Sequence, residues 1–153
     1  MPAGIKFNPE AISVALFTLL QTIPTTFQTM DRQGQIWTNV APTDQPYLGL
    51  IERGGMVVQD SATGLTKHTL HYTVLVYIRG DASQDSSAIL PATQLNAIWL
   101  QIEDVMYSGP LGERQTLGGL VNNAWVEGEV LMDTGILDQQ LALMIPVSVD
   151  VGI

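Results

Sequence analysis

Two groups of residues in this chain have types that could do chemistry. Asp133-Thr134-Gly135 is the tripeptide around which aspartic proteases build a catalytic carboxylate, and Val130-Leu131-Met132 precede it as in such a loop. That chemistry needs two carboxylates sharing one proton, so a chain with a single copy must dimerise. Only 18 residues follow Gly135, too few for the rest of such a fold. The tripeptide is better read as a turn joining two strands, where Asp and Gly are favoured. His68 and His71 are the only histidines. On a strand, residues three apart project from opposite faces, so without a bulge they cannot converge on one metal, and both are assigned structural roles. No nucleophile-elbow serine and no Gly-Lys-Ser/Thr phosphate loop accompany the glycines. The expectation is a protein that is not an enzyme and holds neither cofactor nor metal.

The elements that would carry these residues are legible from periodicity. Asn8 is an N-cap, Pro9 sits at the first helical position, and Phe7 with Ile12 forms a hydrophobic staple. A helix is predicted over Pro9–Thr22, with Ile12, Ala15, Leu16, Leu19 and Leu20 as its apolar stripe and Pro24 just past its end. Short strands are predicted around Phe27–Met30 and Pro46–Arg53. Gly54-Gly55 then breaks the pattern, Met56-Val57-Val58 resumes it, and residues 60–64 turn. Thr66–Arg79 is the strongest strand: Leu70, Tyr72, Val74, Val76 and Ile78 line one face, and Thr69, His71, Thr73, Leu75, Tyr77 and Arg79 the other. After a polar loop at 81–87, a second amphipathic helix is predicted over Pro91–Tyr107, ended by Gly109-Pro110. Past a Gly118-Gly119 bend, strands are predicted over Leu120–Met132 and Gln140–Val151. Pro146 suggests that the last is an edge strand or bulged. This order implies a single α+β domain over 1–153, mainly an antiparallel sheet with two amphipathic helices packed on one face.

Composition narrows the function. At 153 residues, with 46% hydrophobic and only 14% charged residues, the chain carries too little charge to coat an ordinary small soluble domain. Part of its surface is expected to meet other subunits. Without cysteine there is no disulfide framework or thiolate metal site, and assembly inside the cell is the simplest expectation. The start MPAGIKFNPE does not read as a signal peptide, and no apolar run is long enough to span a bilayer. Residues 1–80 balance five bases against five acids, whereas residues 81–153 hold Arg114 against ten acids, so the net charge of -9 lies in the C-terminal half. Such a chain repels nucleic acid rather than gripping it.

Candidate contact residues follow from the faces of the strands. In the Leu120–Met132 stretch, Ala124, Val126, Gly128, Val130 and Met132 make a core face, leaving Asn123, Trp125, Glu127, Glu129 and Leu131 on the other. An aromatic among polar groups is typical of an interface, and equally of a tryptophan lying under a loop of its own subunit. The candidate contacts are Trp125, Glu127 and Glu129, with His71, Tyr77 and Arg79 on the corresponding face of the long strand. Arg79 and Glu127 are a candidate pair between subunits, of a kind worth about 0 to 1 kcal/mol when exposed.

Gln115-Thr116-Leu117-Gly118-Gly119-Leu120-Val121, then Ala124-Trp125-Val126-Glu127-Gly128, then Gln140-Leu141-Ala142-Leu143-Met144-Ile145-Pro146-Val147 together resemble the tail terminator (tail completion) proteins of tailed bacteriophages, the family of minor tail protein U of lambda-like phages. The order of the remaining elements is similar too. The resemblance implies a subunit of a ring, hexameric in that family, at the head-proximal end of the virion tail. Such a ring caps the tail tube, stops its growth and offers a surface for the head connector. It implies as partners other copies of the chain, the tail tube protein and the head–tail connector, with assembly in the host bacterial cytoplasm. A head–tail connector or adaptor subunit is the alternative among structural proteins, and a small acidic enzyme or ligand-binding domain the alternative of another class.

Overall fold

The computed structural model describes residues 7–59, 61–79, 89–107, 112–137 and 140–152. Helix α1 spans Pro9–Leu20, and the Asn8 side chain accepts a hydrogen bond from the Ala11 N–H at 3.1 Å, as an N-cap should. Ile12, Leu16 and Leu20 are fully buried along one stripe. Phe7 packs against the same core and stacks on His68, with ring centroids 3.8 Å apart. Helix α2 spans Ile89–Val105, two residues ahead of the expected start, so Pro91 falls in its first turn, where a missing N–H costs nothing. Its Leu95, Ile98 and Ile102 are fully buried, each contributing about 1.5–3 kcal/mol. The loop expected at 81–87 and the Gly109-Pro110 stop lie outside the described residues.

Six strands form one mixed, mostly antiparallel sheet: β1 (Thr29–Asp31), β2 (Tyr47–Gln59), β3 (Thr66–Arg79), β4 (Asn123–Val126), β5 (Leu131–Leu137) and β6 (Gln140–Gly152). Its order is β1-β2-β3-β6-β4, with β5 also on β6. Only β1 and β2 run parallel. The fold is α+β. Leu70, Tyr72, Val74, Val76 and Ile78 of β3, the odd-numbered residues Leu141 to Val151 of β6, and both helices build the main core.

Four expectations need correction. Gly54-Gly55 does not end a strand: β2 runs through it, with an irregular register between Glu52 and Gly55. A Cβ on Gly55 would collide with the Thr69 carbonyl, so glycine lets the two strands stay paired there. Leu120–Met132 is not one strand but two short ones, and Pro146 lies neither at an edge nor at a bulge. β6 is central, flanked by β3 on one side and by β4 and β5 on the other. The Pro146 carbonyl accepts from the Glu127 N–H at 3.2 Å. A strand residue points its N–H and C=O to the same side, so the N–H that proline lacks is missing on the β4–β5 side alone. The break between the two short strands falls at that height, with Gly128 at φ 121° and an added Cβ there only 3.1 Å from the Pro146 ring. Finally, Asp133-Thr134-Gly135 is not the turn. It lies within β5, Asp133 opposite Ala142, and the connection to β6 falls at residues 138–139, outside the described set.

Among the described residues, the second face of the sheet is covered at one end only. Val40, Tyr47, Leu75, Tyr77 and Ala142 form a small second core. Tyr47 and Tyr77 stack with centroids 5.4 Å apart. The Tyr77 hydroxyl donates to the Gln35 carbonyl at 2.9 Å, and the Tyr47 hydroxyl donates to Asp31 at 2.9 Å while accepting from the Gln35 N–H at 3.0 Å. Burial raises both phenols above the usual tyrosine value.

Candidate assembly interface

The LGG bend organises the uncovered end of the second face. Leu117 takes a positive φ of 50° and is buried, followed by Gly118 and Gly119 at φ 71° and 90°. The Thr116 carbonyl accepts from the N–H groups of both Gly119 and Val121. On its way into the bend the chain is stitched to its neighbours. Gln115 donates from its backbone to the Met106 carbonyl and from its side chain to the Val105 carbonyl, and its own carbonyl accepts from the Ala124 N–H at 2.8 Å. The end of α2 and strand β4 are thereby fixed to each other, and Arg114 is delivered over Trp125.

Trp125 is held on two sides. The Arg114 guanidinium lies 4.4 Å from its ring centroid, and its indole N–H donates to the Glu127 carboxylate at 2.8 Å. A cation over an exposed indole contributes about 0.5–1 kcal/mol, which together with the Glu127 hydrogen bond favours this orientation of the ring. The ring still keeps an intermediate exposure, and Glu127 and Glu129 are exposed. Both readings of Trp125 thus have a counterpart: a residue of its own subunit covers it in part, and the remainder faces outward.

The predicted contact residues separate into two groups. Trp125 pairs with Ser148, and Ser148 with His71, so the three share one cross-strand row. The His71 ring nitrogen lies 3.4 Å from the Ser148 hydroxyl and the residue is exposed. Tyr77 is not available: it is 1% exposed, buried under residues 35–47 of its own chain. Arg79 is exposed but pairs with Gln140 at the far end of β6, eight residues from His71 along β3, about 27 Å at strand rise. Within one subunit Arg79 and Glu127 therefore do not meet. His68 and His71 project from opposite faces, one stacked on Phe7 and the other on the open side. Among the described residues no three His, Asp or Glu side chains gather where they could hold a metal ion.

Sequence reasoning missed two features. One is Arg114, whose signal was available: it is the sole base in the acidic half. The other is the outer part of β2, exposed continuously from Glu52 to Gln59. Met56, Val57 and Val58 there, and Leu65 across the hairpin, are each more than half exposed. β1 covers β2 only at Tyr47–Gly49, and the Gly34 N–H reaches the Leu50 carbonyl. Past that point the edge carries no strand among the described residues. Where β1 leaves, a cleft of about 440 Å³ opens between Glu10, Arg32, Gly34 and Glu52, crossed by the Arg32–Glu10 ion pair.

The chain matches no family model and no curated protein sequence.

Proposed function

We propose that this chain is a non-enzymatic assembly protein of the phage tail-terminator type: a subunit of a ring that caps the tail tube, ends its growth and presents the surface for head joining. Its partners in this reading are other copies of itself, the tail tube protein and the head–tail connector. Its place is the head-proximal end of the virion tail, after assembly in the bacterial cytoplasm. The observation that carries the reading is the Trp125 edge. The three segments that resemble the terminator family are neighbours there, since Gln115 bridges to Ala124 and Val126 pairs with Val147. Together they hold a half-open aromatic between Arg114 and Glu127. An aromatic anchor rimmed by charge is the usual composition of a binding hot spot. The acidic surface supports a ring that lets DNA pass without holding it.

The test is electron microscopy of particles made without this protein. Overlong tails, or tails that cannot join heads, are expected. Normal tails beside unplugged heads would instead identify a connector subunit. Light scattering over a range of salt, with and without tail tubes, addresses the enzyme alternative. A chain that stays monomeric or dimeric in both settings would argue against ring formation.

A further inference from the structure

The free edge of β2 and the Trp125 edge lie on opposite sides of the same sheet at the same height. Met56 pairs with Thr69, Thr69 with Asp150, and Asp150 with Asn123. One row further, Trp125 and Ser148 align with His71, which faces the Arg53–Gly54 irregularity of β2. On the open face of this edge sit Arg53, whose side chain donates to Thr73, and Lys67, beside Met56 and Val58. From Arg53 to Gln59 there is no acid at all. The opposite edge carries Glu127 and Glu129 around Trp125, and the half-exposed Leu131.

We infer that the Arg53–Val58 edge of one copy docks laterally on the Trp125 edge of a second copy of this chain. The inference rests on the ring reading and names the surfaces that close the ring. Copies of a chain with net charge -9 repel one another unless they meet where acids are absent on one side. The Arg53–Gln59 edge of β2 is such a side: Arg53 faces the carboxylates of the neighbour, while Lys67 of β3 behind it is engaged with Asp150 of its own chain at 3.4 Å and offsets that acid. Met56 and Val58 supply apolar area for Trp125 and Leu131. The two patches differ, so the contact is heterologous, and in the ring reading its repetition about one axis closes the assembly.

The chain has no cysteine, so single thiols can be placed cleanly. Full-length Met56→Cys and Asn123→Cys proteins are mixed under conditions in which the wild type assembles, then treated with a short bis-maleimide. A cross-linked dimer is expected from the mixture and from neither variant alone. The double variant should give a ladder that stops at the subunit number of the ring. Arg53→Glu with Lys67→Glu should raise the concentration needed for assembly by about tenfold, and Glu127→Lys with Glu129→Lys should restore it. If the wild type assembles but the mixture yields no dimer, the contact is wrong and the ring stands. Dimers from Met56→Cys alone would mean that two β2 edges meet each other, and a Met56→Cys adduct only with another tail protein would assign the edge to that partner; either outcome overturns the inference. A wild type that never assembles, in solution or on tail tubes, removes the ring reading itself.

Discussion

The two ends of the open sheet face make an instructive pair. At one end Tyr77 and Tyr47 lie stacked and sealed beneath residues 35–46; at the other Trp125 and His71 stand in a row with a side still open. Both ends present an aromatic among polar neighbours, and strand alternation describes them identically. What separates them is whether the chain folds back over them. A half-polar strand face is therefore a statement about the strand, and its exposure is a property of the loops.

That contrast can be broken by mutation. Tyr77→Ala removes a buried ring and its hydrogen bond to Gln35 and should cost about 3–5 kcal/mol in chemical denaturation. Trp125→Ala should cost less than about 1 kcal/mol in the same measurement while abolishing ring formation and tail termination. Equal losses of stability would erase the distinction, and intact assembly in Trp125→Ala would sink the interface.

Alkali should act on the sealed end. Burial holds the phenols of Tyr47 and Tyr77 there, and that of Tyr72 in the main core, above their ordinary 10.0, so the folded chain keeps protons that the unfolded chain gives up. Their contribution is intact below about pH 10 and is lost as pH rises beyond it. Melting curves between about pH 8 and about pH 11.5 should fall steeply in the upper part, and less so in a Tyr47→Phe, Tyr77→Phe double variant.

Smaller effects sharpen the comparison. Tyr77→Phe keeps the stack and loses only the bond to the Gln35 carbonyl, for about 1 kcal/mol in urea denaturation. Arg114→Ala should change stability by no more than about 1 kcal/mol, yet shift the fluorescence of Trp125 by freeing its ring. Unchanged emission would show that Arg114 does not hold the indole.

Much of this architecture is legible in the residues themselves. The cap at Asn8, the limits of β3 and the alternation of β6 follow from local chemistry, and the structure agrees with them to within a residue or two. The split of β4 from β5 was harder to read because it is caused across the sheet, by the missing N–H of Pro146. Asp133-Thr134-Gly135 misled for a related reason: its turn-forming types are overridden by pairing to β6. Tyr77 was misassigned because periodicity gives a face and not its cover. Arg114 reaches Trp125 only through the LGG bend, so their proximity belongs to the tertiary path rather than to spacing.

Pro146 has one more consequence, for the fidelity of folding. Two short strands zipped onto one long partner invite misalignment, and a slip by a single residue would turn every core side chain of the slipped strand towards water. A proline in the shared partner offers the pairing machinery a blank rung. Any slip that brings a donor-seeking carbonyl of β4 or β5 opposite that rung forfeits a bond, whereas the native alignment sets the break between the strands there. The residue that interrupts the ladder thus also works as its alignment mark.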